Sequence, residues 1–279
     1  MIRNVKMVVA DIDGTLVKKG EKEMMPLTRE MLTKIHEAGI LFGIASGRPI
    51  DDKMRARKEE WQLPFDFDVL IGMNGGQLWD RFHEGIEEYY MLDTDTMREI
   101  LDLMRPFHLI ASIYEDDHMV ATALDRLQVE SIERNQMEFI NTEGDEDRLC
   151  IRPVNKILFR YDEHEKEMME YINAHPSDKY QGVITYPGLV EFFDPRVSKG
   201  MALEECAKRN QIDIADVLAF GDLDNDNEML KAAGWGVALL NGGEETKRIA
   251  DEVTEFDVEH DGVGHYLQKL LTRGQIVVD

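Results

Sequence analysis

The sequence predicts an α/β protein whose core is a doubly wound, Rossmann-like parallel sheet, with a second α+β domain inserted into it. Three observations predict this fold. Short apolar, β-branched segments alternate with stretches of helical period, and each apolar segment stops at a polar turn. The alternation lapses in the middle of the chain and then resumes. An insertion between two halves of one domain explains why the end of the chain continues the pattern of its beginning.

The first half of the core contains three predicted strands, at residues 5–10, 40–45 and 69–71. Each is short, apolar and unbroken by charge, as strands buried on both faces are. The helix between the first two strands is predicted to begin with Thr28 as its N-cap and to end before Gly39. Because parallel strands collect ligands outside their carboxyl ends, the polar turns after these strands are expected to converge on one edge of the sheet.

The insertion is predicted at residues 85–190, which leaves residues 1–84 and 191–279 for the core. Within the insertion, Arg152, Lys156 and Arg160 are candidate substrate contacts, although such side chains are more often solvated surface charges. After the insertion the sequence predicts further helices and strands of the core, at residues 198–209, 217–220, 225–233, 236–240 and 262–271.

Charge and composition restrict the class of function. The chain has 279 residues, 43% of them hydrophobic, and a formal net charge of -24. Such an acidic protein is not expected to bind nucleic acid or anionic membranes. Cys150 and Cys206 belong to no CxxC pair, and neither a signal segment nor a long apolar run is apparent. These features predict a protein of the cytoplasm.

The first candidate site follows the first predicted strand. Asp11 and Asp13 stand two residues apart as the chain leaves that strand, and Gly14 permits the tight turn that aims both carboxylates at one pocket. This arrangement favours a divalent hard metal and phosphoryl transfer, because carboxylates would otherwise repel a phosphate. The alternative is a solvated acidic turn.

Two further turns carry polar groups. Ser46, Gly47 and Arg48 follow the second strand and offer a hydroxyl and backbone N–H groups to phosphate oxygens, although they could simply cap a helix. Lys199 follows Ser198 at the start of a helix, where the helix dipole disfavours a cation. It could neutralise a carboxylate and a phosphate together, or be an ordinary exposed lysine.

A last acidic turn follows the strand predicted at residues 217–220. It contains Asp222, Asn225 and Asp226, and it supplies a second source of carboxylates for a metal. The alternative, an acidic first turn of a helix, explains Asp226 better than Asp222, which immediately follows the strand.

Taken in chain order, the motifs DxDGT, SGR, SKG and GDxxND resemble those of the haloacid dehalogenase superfamily of phosphatases. Within it they are most similar to the Cof-type group, whose large α/β cap is inserted after the third core strand. The turn Asn74-Gly75-Gly76, the segment from Ala233 to Ala238 with Asn241-Gly242, and Asp261-Gly262-Val263 extend the resemblance over most of the chain.

The resemblance implies a role for each motif. Asp11 would attack phosphorus to give an aspartyl phosphate, and Asp13 would act as proton donor and acceptor. Mg²⁺ would be held by the side chains of Asp11 and Asp222 and the backbone carbonyl of Asp13. The remaining roles are charge neutralisation by Lys199, orientation of Lys199 or a metal-bound water by Asp226, and substrate binding by Thr15, Ser46, Gly47, Arg48, Asn74 and Asn225. Thr15 would also support the first loop, and Arg48 would either hold the Ser46 turn or face the substrate.

The function implied is Mg²⁺-dependent hydrolysis of a small phosphorylated metabolite, such as a sugar phosphate, a nucleotide or a phosphorylated cofactor. The inserted domain would select the substrate. Two alternatives stay open, a sugar phosphomutase with the same aspartyl-phosphate chemistry and a non-catalytic sensor of a phosphate ligand. Oligomeric state is not readable from the sequence.

Overall fold

Buried apolar strands alternate with helices in the computed structural model, which describes residues 4–276, the side chains of Arg134 and Tyr186 apart. The strands, in chain order, are β1 (Met7–Asp11), β2 (Leu41–Ala45), β3 (Val69–Gly72), β4 (Gln77–Asp80), β5 (Glu87–Glu88), β6 (Ala111–Glu115), β7 (His118–Ala121), β8 (Glu138–Asn141), β9 (Ile157–Arg160), β10 (Gln181–Tyr186), β11 (Leu189–Phe193), β12 (Val217–Gly221), β13 (Trp235–Ala238) and β14 (Glu252–Val253).

The helices are α1 (Pro26–Glu37), α2 (Asp52–Arg55), α3 (Arg57–Glu60), α4 (Thr94–Met104), α5 (Arg126–Asn135), α6 (Glu165–Ala174), α7 (Lys199–Arg209), α8 (Asn227–Ala232), α9 (Glu244–Ile249) and α10 (Gly262–Thr272). Short 3₁₀ turns lie at Met73–Gly75, Arg105–Phe107, Ile214–Asp216, Asp224–Asp226 and Val258–His260.

The chain forms two compact units. One contains the residues up to Glu87 and those from Ser198 onward, and the other is Glu88–Val197. The predicted second boundary, between residues 190 and 191, falls inside β11, which pairs with β9 and β10 in the sheet of the inserted unit. All of β11 therefore belongs to the inserted unit, because a strand cannot leave its ladder without losing backbone hydrogen bonds.

The first unit is built on a sheet with the strand order β14-β13-β12-β1-β2-β3-β4-β5. From β14 to β3 neighbouring strands are parallel, and β4 is antiparallel to β3. All five residues of β1 are buried, as expected for a central strand covered on both faces. Val8 and Ala10 share a core with α1 and α10, whereas α7 and α8 pack together outside that cluster. The predicted α/β class and parallel sheet are confirmed.

The start of α1 differs from its predicted form. The helix begins at Pro26, two residues before Thr28, and the residue before it contributes no side-chain cap. The carboxylate of Asp261 instead accepts from the backbone N–H groups of Leu27 and Thr28, each at 2.8 Å. Thr28 donates its hydroxyl to the same carboxylate. A residue more than 230 positions away therefore satisfies the helix end, which local sequence could not reveal.

The inserted unit has a six-stranded sheet in the order β10-β11-β9-β6-β7-β8, antiparallel except for the parallel pair β7–β8. An apolar core packs this sheet against α4 and α6. Lys156 is not a surface charge, because it is only 3% exposed and its Nζ lies 2.7 Å from Glu191 Oε1 on β11. Arg152 is about half exposed and pairs with Glu115 and Asp116.

Candidate functional site

Polar side chains of the first unit meet where four neighbouring parallel strands end. Asp11 is the last residue of β1, Ser46 follows β2, Asn74 lies just beyond β3 and Asp222 follows β12. In the sheet β12 is next to β1, β1 to β2 and β2 to β3. The predicted convergence of these turns on one edge of the sheet is therefore present in the structure.

Lys199 lies at the centre of this group. Its side chain is completely buried, and its Nζ lies 2.5 Å from Asp11 Oδ1 and 2.6 Å from Asp226 Oδ1. Burial alone would lower the pKa of Lys199, but the two carboxylates outweigh it and hold that pKa above its usual value. The lysine is therefore a fixed positive charge in contact with the predicted nucleophile.

Gly75 makes the position of Lys199 possible. Its φ of +107° is unfavourable for other residues, and a Cβ there would stand 2.1 Å from the carbonyl oxygen of Ser198. The turn after β3 can therefore touch the start of α7. Ser198 caps this helix by accepting from the backbone N–H of Met201 at 3.0 Å, so the first turn that carries Lys199 is anchored.

Asp222 is the second buried carboxylate, with a side chain 1% exposed. Its Oδ1 accepts from the hydroxyl of Thr15 at 3.2 Å. Thr15 is predicted as a substrate contact, but in the structure this buried hydroxyl is directed at Asp222. The other oxygen, Oδ2, accepts no hydrogen bond from the residues that the structure describes and lies 3.3 Å from Nζ of Lys19.

Asp226 is the third buried carboxylate and is committed to protein groups. Its Oδ1 accepts from Lys199, while its Oδ2 accepts from the backbone N–H groups of Asp222 and Leu223 at 2.9 and 3.1 Å. This carboxylate therefore contacts Lys199 and holds the turn that carries Asp222.

A neutral polar group lies at the ends of β2 and β3. The backbone N–H of Asn74 donates to the carbonyl of Ser46 at 3.0 Å, and Asn225 donates its side-chain amide to Asn74 Oδ1 at 3.3 Å. A Cβ on Gly47 would approach the Asn74 side chain to within 3.2 Å. The structure thus brings together four of the predicted substrate-binding residues, Ser46, Gly47, Asn74 and Asn225.

Asp13 and Arg48 form an ion pair at the more open side of the group. Arg48 Nη2 donates to Asp13 Oδ2 at 2.9 Å, and each side chain is 35% exposed. The backbone N–H of Arg48 also donates to Ser46 Oγ at 3.2 Å. Arg48 therefore ties the turn after β2 to Asp13 and fixes the direction of that carboxylate.

The arrangement concentrates negative charge. Carboxylate oxygens of Asp11, Asp222 and Asp226 lie within 4.8 Å of one another, and all three residues are buried. Burial raises the pKa of Asp11 well above its usual value, against the opposing effect of Lys199, and Asp226 and Asp222 raise it further. Burial, and after it the charge of Asp226, raises the pKa of Asp222 to about 6. A divalent cation bound to these oxygens would reduce the repulsion between the carboxylates.

Two residues without a predicted role also belong to the site. Asn241 donates to the carbonyl of Gly14 at 2.8 Å and accepts from the backbone N–H of Val258 at 2.8 Å, so it supports the loop after β1. Lys19 faces Asp222. The pair Asn241-Gly242 was visible as part of the family resemblance, whereas nothing in the local sequence distinguishes Lys19 from its neighbour Lys18.

Comparison with known proteins places the chain. A profile described as haloacid dehalogenase-like hydrolase matches residues 8–267. The chain belongs to the haloacid dehalogenase-like hydrolases. The predicted family and its hydrolase class are thereby confirmed.

Two proteins of Bacillus subtilis illustrate the relationship of this haloacid dehalogenase-like hydrolase to its relatives. Both are named 5-amino-6-(5-phospho-D-ribitylamino)uracil phosphatase. YwtE is 25% identical over 96% of this chain and 99% of its own length. YitU is 25% identical over 94% of this chain and 96% of its own. A crystal structure of a haloacid dehalogenase-like hydrolase from Bacteroides thetaiotaomicron matches with a TM-score of 0.82 and 25% identity, and covers 96% of this chain and 100% of that one.

Among the residues that the structure describes in this hydrolase, no helix combines the length and the apolarity that a membrane span requires.

The protonation of Asp222 makes a testable contribution to the stability of the metal-free hydrolase. The pKa of the Asp222 carboxyl is raised from the ordinary 3.8 to about 6, so the favourable contribution of its protonated form is complete below the unfolded pKa and is lost as the pH rises through about 6. We expect the free energy of unfolding of the wild type to fall, relative to that of Asp222→Asn, by about 2 kcal/mol as the pH rises from about 4.5 to about 7.5. Urea unfolding in EDTA measures this difference.

The exposed Asp224→Asn change, two residues away, serves as the control and should leave the pH dependence unaltered. A stability difference between Asp222→Asn and the wild type that stays constant with pH would contradict the prediction.

Proposed function

We propose that this hydrolase is a Mg²⁺-dependent phosphatase that cleaves a small phosphorylated metabolite through an aspartyl phosphate formed on Asp11. One observation carries the proposal. The carboxylate of Asp11 at the end of β1 is held by the buried ammonium of Lys199, beside a second buried carboxylate, Asp222. A nucleophile, a fixed positive charge and a metal-binding carboxylate are thereby combined in one polar group.

The residues present fit a magnesium ion. Hard cations prefer oxygen ligands, and Asp222 Oδ2 is a buried carboxylate oxygen that accepts no hydrogen bond within residues 4–276. Asp11 and Asp222 would supply side-chain ligands and Asp13 its backbone carbonyl, whereas Asp226 is already occupied by Lys199 and two backbone N–H groups. When bound, the ion supplies the positive charge that lets a phosphate group approach these carboxylates.

The first half-reaction is carried by Asp11 and Asp13. A carboxylate oxygen of Asp11 attacks phosphorus, the bond from phosphorus to the ester oxygen breaks, and Asp13 gives its proton to the leaving oxygen. Arg48 keeps the Asp13 side chain in a fixed direction through its 2.9 Å hydrogen bond. Lys199 offsets the negative charge that gathers on the phosphoryl group and on Asp11.

In the second half-reaction Asp13 takes a proton from water, and the water oxygen attacks phosphorus. The bond between phosphorus and Asp11 breaks, which releases inorganic phosphate and regenerates both carboxyl groups. Ser46, Asn225 and the backbone N–H of Gly47 are the proposed donors to the phosphoryl oxygens. Their mutual positions are set by the hydrogen bonds of Asn74 to Ser46 and Asn225.

The test is release of inorganic phosphate from a panel of phosphate esters in Mg²⁺ and in EDTA. The panel contains sugar phosphates, nucleotides, phosphorylated cofactors and, because two relatives bear its name, 5-amino-6-(5-phospho-D-ribitylamino)uracil. We expect release from at least one ester with Mg²⁺, and in EDTA a rate lower by about 10²-fold or more.

Two outcomes would overturn the proposal. Isomerisation of a hexose phosphate that depends on a bisphosphate activator, without net release of phosphate, would indicate a phosphomutase. Saturable binding of a phosphate ester with no turnover of any member of the panel would indicate a sensor.

A further inference from the structure

Lys19 stands next to a residue proposed to bind the metal. Its Nζ lies 3.3 Å from Asp222 Oδ2, the oxygen that accepts no hydrogen bond in the described part of the chain. Within residues 4–276, no other ion pair to Asp222 is present. The two side chains differ greatly in exposure, 55% for Lys19 and 1% for Asp222. An exposed, movable ammonium therefore neutralises a carboxylate that is fixed and buried.

Lys19 is carried by the loop that follows β1. Isolated bridges join Val17 to Asp13 on one side and to Met24 on the other, so residues 18–23 form the tip of this loop. Gly14 provides the space for the contact. A Cβ there would stand 2.4 Å from Asp222 Oδ2 and 2.9 Å from Cε of Lys19. Because Gly14 has no side chain, the Asp222 carboxylate and the methylene chain of Lys19 can both approach this turn.

A cation bound to Asp222 and the ammonium of Lys19 would compete for one oxygen. Two positive charges at such a distance repel each other, and the half-exposed lysine can leave for water at low cost. Asp222 cannot follow it, because Thr15 and the turn held by Asp226 keep the carboxylate in place.

We propose that Lys19 is a built-in counter-ion of Asp222, which Mg²⁺ must displace when it binds. Lys19 thereby weakens the affinity for the metal and couples metal binding to release of the loop tip at residues 18–23. This inference rests on the metal site of the proposed function. It assigns to Lys19 a part in setting metal affinity and none in the chemistry of phosphoryl transfer.

The experiment is calorimetric titration of EDTA-stripped protein with Mg²⁺ at constant ionic strength, with no substrate present. The variant is Lys19→Met, and the matched control is Lys18→Met. Lys18 is on the same loop tip and carries the same charge, but it pairs with Glu21 at 3.9 Å. We expect the Mg²⁺ dissociation constant of Lys19→Met to fall about three- to tenfold, and that of Lys18→Met to change less than about twofold.

Equal changes in the two variants would overturn the inference, because they would reflect net charge alone. Weaker Mg²⁺ binding by Lys19→Met would also overturn it, since the lysine would then be supporting the metal ligand. Asp222→Asn tests the metal site separately. If the wild type binds Mg²⁺ and Asp222→Asn does not, the proposed metal site stands even when the Lys19→Met result rejects the role of Lys19. A wild type that binds no Mg²⁺ rejects both.

Amide hydrogen exchange gives a second readout. Added Mg²⁺ should speed exchange at residues 18–23 of the wild type and of Lys18→Met, and should leave exchange in Lys19→Met unchanged. Exchange at the loop tip that does not respond to bound Mg²⁺ in the wild type would contradict the coupling.

Discussion

The Asp11→Asn variant is expected to lose phosphate release by about 10⁴-fold or more while it keeps its fold. The side-chain amide of Asn is a weak nucleophile and cannot form the aspartyl phosphate on which both half-reactions depend. The change is nearly isosteric. It also removes a charge whose burial is unfavourable, as the raised pKa of Asp11 indicates, and Lys199 keeps Asp226 as its counter-ion, so the free energy of unfolding should not fall.

Two measurements check this prediction, initial rates of phosphate release with Mg²⁺ and urea unfolding of the same preparation. Asp224→Asn is the matched control, because it removes one exposed negative charge close to the site and should retain the rate within about twofold. Turnover by Asp11→Asn near the wild-type rate would exclude a covalent mechanism through this residue. Trapping of a phosphorylated wild-type protein, absent from the variant, would support it directly.

The Lys199→Met variant is expected to lose both stability and activity. It removes a fully buried ammonium that lies 2.5 Å from Asp11 and 2.6 Å from Asp226, and it leaves those carboxylates without their cation. Breaking a buried ion pair in this way costs about 3–5 kcal/mol. Loss of the positive charge that stabilises the phosphoryl group should also lower the rate by about 10²- to 10³-fold.

Urea unfolding in EDTA measures the loss of stability. Adding Asp226→Asn to Lys199→Met should restore part of the stability, because one of the uncompensated charges is then gone. The control is Lys231→Met, which removes a half-exposed lysine paired with Glu228 at 2.8 Å and should cost less than about 1 kcal/mol. A cost for Lys199→Met as small as that of Lys231→Met would mean that the buried pair does not stabilise the protein.

The parallel core could be predicted because its signals are local. Each central strand is a short run of buried apolar residues, and each ends where a polar turn begins, so β1 and Asp11 follow directly from the order of the residues. The spacing of Asp11 and Asp13 and the position of Asp222 after β12 are also local features of the sequence. These features depend on the backbone period and on the fact that parallel strands share a carboxyl edge.

The predicted start of α1 and the expectation that Lys156 is a surface charge are wrong for a common reason. The partner of α1 is Asp261, and the partner of Lys156 is Glu191 on another strand. Local sequence favours an N-cap at Thr28 and a solvated lysine, because the short-range preferences of those residue types point that way. Contacts between distant parts of the chain override such preferences, and no property of the neighbouring residues reports them.

By itself, the sequence determined the class of fold, the four turns at the strand ends and the residue types that suit a phosphate and a metal. Only the tertiary structure decided which of those side chains are buried and what each one faces. Lys199 and Lys19 show the difference most clearly, since both are lysines beside small or polar residues. Packing of α7 against the turn at Gly75 buries Lys199 between two carboxylates. The loop after β1 instead leaves Lys19 about half exposed to solvent beside Asp222. The physical reason is that desolvation and charge pairing depend on distances across the fold.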